Sequence, residues 1–251
     1  AYSRCFFRIT KPVTYASKAM ITCPICGASN EDYSFRCTRC HSYIQNRVPN
    51  IDLFSTLWGL IERPKATFRT IAVAEHKNYS IILFSLFGTI LIFSAFAFLR
   101  LGNSYDNLIN VLSVIMLRGI ATGIALSIIL SLMHALLAKF SLRRATFQNA
   151  LSLLAFAFAP YSLISLILMP IKLQAFGMYY FTSNPSPAIL NSLLYYILQF
   201  FEGASFGWSF YLAIIGSKIT YQISITRSIF INFFTFIIAL GIVYYSCKLM
   251  Y

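Results

Sequence analysis

From Tyr79 onward the chain alternates between long apolar runs and short polar connections. The apolar runs cover about 79–99, 119–138, 151–171, 190–216 and 229–246. Each is close to the ~20 residues that a helix needs to cross hydrocarbon. The first, from Tyr79 to Leu99, carries no charge and stops at Arg100. The polar connections fall at 101–118, 139–148, 172–187 and 217–227. This pattern predicts an all-α membrane protein with a five-transmembrane-helix bundle over 79–246.

Ahead of the bundle the period changes. Over 50–72, Ile51, Phe54, Leu57, Trp58 and Ile61 recur at helical spacing, with Asn50 as a candidate N-cap. Pro64 interrupts the helix, and Phe68 and Ile71 continue an apolar stripe beside polar Lys65 and Arg69. The segment is expected to form two short amphipathic helices lying in the membrane interface, with Trp58 at headgroup depth. Trp58, Arg63, Pro64 and Phe68 are the candidate interfacial or partner-contacting residues.

Farther upstream the pattern loses all periodicity, and chemistry takes over. Cys23-Pro-Ile-Cys26-Gly and Cys37-Thr-Arg-Cys40-His place two thiol pairs ten residues apart. Two Cys-x-x-Cys knuckles supply the four sulfurs of a closed tetrahedral zinc site. Disulfides, a redox pair and an iron site use the same residues. A reducing compartment argues against the first, and the lack of a surrounding βαβ pattern against the second. Zinc is the best fit, held by Cys23, Cys26, Cys37 and Cys40 in a small ribbon over 21–43. Four protein ligands leave no open position for water or substrate, so the metal is structural. Gly27 suits the first knuckle. The second has His41 at that place, which predicts a less regular turn. Cys5 and Cys247 lie outside the cluster.

Composition agrees with the division. Of 251 residues, 58% are hydrophobic and only 11% charged, with a net charge of +13 and a mean hydropathy of +0.70. Eleven of the 20 Lys and Arg precede residue 80, against five acids there. A basic segment beside a membrane favours anionic lipid headgroups. Nucleic acid is the weaker reading, because stacking aromatics do not accompany the basic residues. Beyond that segment, one side of the bundle carries five basic residues and the other four. The basic N-terminal part therefore decides the orientation: N-terminus and cysteine cluster cytoplasmic, C-terminus outside. Residues 1–19 are basic and free of acids, and are expected to be a disordered or non-native extension ahead of Met20.

Two ionisable residues fall inside apolar runs, His134 and Glu202. Such groups are costly in hydrocarbon and are candidates for an ion or proton path, with His134 pairing Glu202. Gly119-x-x-x-Gly123 and Gly203-x-x-x-Gly207 have the spacing of close helix contacts, within the bundle or in a homo-oligomer. No Ser-His-Asp set, zinc-protease motif or phosphate-binding glycine loop is visible, and the protein is not expected to be an enzyme.

Two phrases carry a family resemblance. One is Trp58-Gly-Leu-Ile-Glu-Arg63-Pro64-Lys-Ala-Thr-Phe68-Arg-Thr-Ile71, ahead of the runs. The other is Thr146-Phe147-Gln-Asn-Ala-Leu-Ser-Leu-Leu-Ala-Phe-Ala-Phe-Ala-Pro160, opening the third. From about Ile51 to Tyr245 the chain resembles the Yip domain family, the Ypt/Rab-interacting membrane proteins, in particular prokaryotic members with an N-terminal zinc ribbon. The resemblance implies five membrane helices and a cytoplasmic N-terminus. Eukaryotic members are linked to Rab GTPases and traffic in early secretory membranes, the alternative location. The ribbon points instead to a prokaryotic cytoplasmic membrane. The expected function is a membrane scaffold or adaptor whose head binds an unknown cytoplasmic protein, with a role in membrane organisation or trafficking. The rival is a small transporter or channel using Glu202 and His134.

Overall fold

The computed structural model describes residues 20–31, 34, 36–44, 50–139 and 146–248. The expected extension at 1–19 lies outside these. The chain divides into two compact units, Ala1–Arg47 and Val48–Tyr251.

In the first unit, strands β1 (Met20–Thr22) and β2 (Ser29–Glu31) pair antiparallel, with Ile21 opposite Asn30. A second antiparallel bridge joins Arg36 to Tyr43. The Arg36 guanidinium lies 4.9 Å above the Tyr43 ring and donates to its hydroxyl at 2.8 Å. Each pairing ends in one cysteine knuckle.

The second unit is all helix. It opens with α1 (Leu53–Glu62) and α2 (Pro64–Val73). Asp52, and not Asn50, caps α1: its carboxylate accepts from the Ser55 amide at 2.9 Å. Asn50 instead bridges to His76. Pro64 ends α1 and starts α2 because its fixed φ suits a first helical position. The Lys77 amine closes the end of α2 on the carbonyl oxygens of Ile71 and Ala72, and burial pushes it down to about 8.

The bundle follows as α3 (Ser80–Phe98), α4 (Leu108–Lys139), α5 (Phe147–Phe176), the single turn α6 (Pro187–Leu190), α7 (Ser192–Tyr221) and α8 (Ile225–Lys248). Among the described residues, α3, α4, α5 and α8 are long and apolar enough to cross a membrane. Helix α7 has 30 residues, or about 45 Å. Gln199, Glu202, Ser205 and Ser209 make it less apolar, and it falls outside that set of four.

Several expected connections are helical. The stretch 101–118 is mostly α4, with only a 3-10 turn at Leu101–Ser104 before it. Helix α5 runs on through Lys172 to Phe176, and α8 starts at Ile225. Polar residues such as Asn110 and Arg118 do not end a helix that packs along its whole length on neighbours.

The closest seam joins α3 to α4. A Cβ on Gly88 would lie 2.3 Å from the Gly123 Cα, and one on Gly123 would lie 2.4 Å from the Phe84 carbonyl oxygen. The Gly119/Gly123 pair is therefore an internal contact that only glycine permits. Around Gly203 and Gly207 the space is open, and a Cβ at either would meet nothing within 4 Å. Helix α5 contains Pro160, which removes one backbone donor, and the next amide, of Tyr161, reaches across to the Ser209 hydroxyl on α7 at 3.0 Å.

Candidate metal centre and membrane polar clusters

The two knuckles are built alike. In the first, the Cys23 amide donates to the Ala28 carbonyl at 2.9 Å and the Gly27 amide to the Cys23 carbonyl at 3.0 Å. In the second, Cys37 donates to Ser42 at 2.8 Å and His41 to Cys37 at 3.0 Å. The offsets are identical. Gly27 has φ +68° and His41 φ +59°, so the histidine takes the left-handed conformation that glycine takes freely. The expected irregularity of the second knuckle is absent, and His41 absorbs the strain.

The four sulfurs all lie within 4.8 Å of one another, with Cys23 to Cys40 at 3.7 Å and Cys26 to Cys37 at 3.4 Å. A tetrahedron with Zn–S of ~2.3 Å has S–S edges of ~3.8 Å, so the set fits one zinc ion. Electrostatics agree. The Ser42 hydroxyl, then the Cys26 amide, pull the Cys23 thiol down to about 6. The Cys40 amide lowers Cys37. At Cys26 the Ala28 amide also lowers, but the Cys37 thiol, then burial, then the Cys40 and Cys23 thiols together outweigh it and push the thiol up to about 12. Sulfurs this close ionise together only around a cation.

Asn30 supports the set. It is buried, donates from Nδ2 to the Ala28 carbonyl at 2.8 Å and to the Cys37 sulfur at 3.6 Å, and accepts at Oδ1 from the Thr38 amide at 2.8 Å. One side chain thus ties the first strand pair to the second knuckle. Sequence reading missed it, because an Asn between the two knuckles has no spacing that marks it as a sulfur's neighbour.

In the second unit, His134 and Glu202 do not meet. His134 is fully buried, with Nδ1 3.0 Å from the Tyr221 hydroxyl and Nε2 3.2 Å from the Ser217 hydroxyl. The Ser217 hydroxyl gives its proton to the Ala213 carbonyl at 2.7 Å and accepts from Asn232 Nδ2 at 2.9 Å. It must therefore also accept from His134, which places the ring proton on Nε2 and leaves Nδ1 to accept from Tyr221. His134 is a buried core histidine with both nitrogens bonded.

Glu202 lies elsewhere. Its Oε2 accepts from Lys172 of α5 at 2.6 Å and its Oε1 from Ser94 of α3 at 3.0 Å. Lys172 is 1% exposed and also lies 5.4 Å from the centre of the Tyr180 ring. Fifteen residues of α7 separate Glu202 from Ser217, about 22 Å along the axis. The expected His134–Glu202 pair is thus replaced by two independent clusters. Lys172 escaped the sequence reading because it fell in an expected connection. The apolar pattern continuing through Leu173 to Phe176 was the available signal.

Of the interfacial candidates, Trp58 is 63% exposed and Arg63 is exposed, with Pro64 half-buried between the helices. Phe68 is 0% exposed, its ring against Gly216 of α7. It is a packing residue that docks α2 on the bundle, and not a contact for a partner. The stripe of Phe54, Trp58 and Ile61 faces outward, while Leu60 on the other face of α1 is buried.

A family model described as the Yip1 domain matches residues 58–246. The chain belongs to the Yip1 domain family. No curated protein and no solved structure matches the chain. The Yip1 domain spans Trp58, the α1–α2 break and the whole bundle to Ser246, so both membrane polar clusters lie inside it. The cysteine cluster lies outside it, as a separate addition to an integral membrane protein.

Proposed function

We propose that this Yip1-domain protein is a membrane scaffold of the prokaryotic, zinc-ribbon type, whose head captures a protein partner on the cytoplasmic face. The observation that carries the reading is the four-sulfur cluster. Its two matched knuckles form a closed set suited to structural zinc, and a closed set serves binding and not catalysis. The head also exposes apolar side chains, Ile25 at 73% and Tyr43 at 47%, on a fold too small to bury them. In this reading α7 is the fifth crossing helix, which puts the two ends on opposite faces, and the basic N-terminal part makes the N-terminus the cytoplasmic one. Arg63 between the two helices and Lys65 and Arg69 of α2 then face anionic headgroups on the cytoplasmic side, with Trp58 of α1 anchored beside them. A transport path through Glu202 and His134 has less support, since each is bonded within its own cluster.

The test is head-dependent capture from native membranes, with zinc measured in parallel. The intact protein is expected to hold one zinc per chain and to retain a partner. Cys23→Ser with Cys26→Ser should lose both. Full zinc content and unchanged capture in that variant would overturn the reading, as would solute flux in liposomes that Glu202→Gln abolishes.

A further inference from the structure

Where α3 ends, the bundle holds a cavity of about 220 Å³. Ser94, Arg100, Tyr195, Gln199 and Glu202 line its polar side, and Phe98 its apolar side. The volume is below the ~300–1,000 Å³ of sites for drug-sized ligands. It suits a headgroup and not a whole substrate.

The charges in the wall do not cancel. Both oxygens of Glu202 are engaged, one by Ser94 and one by the buried Lys172 amine, so this pair is neutral as a unit. Arg100 remains as one cation in excess. The chain is bent to place it there: Arg100 has φ +56°, a conformation that costs a non-glycine residue, immediately after α3 ends. Its Nη1 donates to the Tyr180 carbonyl at 3.2 Å, which fixes the guanidinium plane. A guanidinium carries five N–H donors in a planar fork, so one carbonyl leaves most of that capacity for a ligand. Gln199 and Tyr195, 3.3 Å apart, add neutral hydrogen-bonding groups on α7.

The surroundings add an apolar requirement. Phe98 is 85% exposed beside the cavity, at the end of a helix apolar enough to cross the membrane. A ligand seated here places its anionic group on Arg100 and its apolar part along Phe98.

We propose that this cavity binds the phosphate of a phosphatidyl lipid headgroup. Arg100 grips the phosphate, Gln199 and Tyr195 bond the headgroup, and the Lys172–Glu202 pair forms a neutral floor. The site is distinct from the basic residues of α2, because it lies inside the bundle and takes one lipid by shape.

Native mass spectrometry of the full chain, released from micelles, tests this with three probes: phosphatidylglycerol, diacylglycerol and inorganic phosphate. One phosphatidylglycerol per chain should be retained, and the other two probes should bind at least about tenfold more weakly. Arg100→Gln should weaken phosphatidylglycerol by about tenfold, whereas Lys172→Met with Glu202→Gln, which removes both charges of the neutral floor together, should leave it within about twofold. Gln199→Leu, which removes the amide's hydrogen bonds without changing charge, serves as a second variant and should also weaken it. Unchanged retention in Arg100→Gln and Gln199→Leu overturns the proposal. So does a roughly tenfold loss in Lys172→Met with Glu202→Gln, which would put the anion on Lys172 and not on Arg100, and so does inorganic phosphate binding as tightly as the lipid.

Discussion

In the head, two strands of three residues each and a few turns close on four sulfur atoms. In the bundle, helices of 19 to 32 residues close on glycine contacts, phenylalanine rings and two polar clusters. Among its described residues the head buries little besides Cys23, Cys37 and Asn30, while the bundle buries Phe84, Phe93, Phe96 and Phe156 almost completely. The contrast shows two sources of order in one chain. With a metal on the four sulfurs, head order is a ligand-binding free energy, which a chelator can remove. Bundle order is packing, which a chelator does not touch.

The strongest way to break this comparison is to remove the metal. Chelation should cost the head on the order of 10 kcal/mol and unfold it, read as four newly reactive thiols, while bundle helicity stays constant. If the helices melt with the head, the two parts are one folding unit and the contrast fails. Next in size is the buried ion pair. Lys172→Met strands the Glu202 carboxylate and should cost about 3–5 kcal/mol in detergent melts, most of it recovered by adding Glu202→Gln. No recovery would mean that Lys172 acts through its ring contacts alone.

The glycines sharpen the packing half. Gly123→Ala drives a Cβ against the Phe84 carbonyl and should cost about 1–3 kcal/mol. Gly207→Ala, with open space around it, should be neutral or gain up to about 1 kcal/mol from helix propensity. Equal losses at both would point to a second copy packed on Gly207. The smallest effect belongs to Asn30→Ala, which should loosen zinc about tenfold without unfolding the loaded head. No change in a competition titration would reduce Asn30 to a turn residue.

What could be read from the chain followed the range of the interaction. The Cys23/Cys26 and Cys37/Cys40 knuckles and the long apolar runs are local patterns, and local patterns survive in a sequence. The four apolar crossing helices and the cysteine cluster follow from them directly. Contacts across the fold leave no such trace. Phe68 looks like any outward aromatic until α7 presents Gly216 beneath it. Lys172 looks like a loop cation until Glu202, thirty residues later, faces it. His134 and Glu202 share a chemistry that invites pairing. The axial distance along α7 forbids it, and one-dimensional order does not show that distance.

Pro160 in α5 has a consequence in time. The Tyr161 amide beside Pro160 gets its cross-helix acceptor from Ser209, on a helix made 48 residues later. In hydrocarbon no water offers that bond in its place. Until α7 is made, α5 lacks this contact, so the order of synthesis and the order of assembly differ at this point. Truncated chains that end before Ser209 should accordingly leave α5 less firmly placed, however apolar it is.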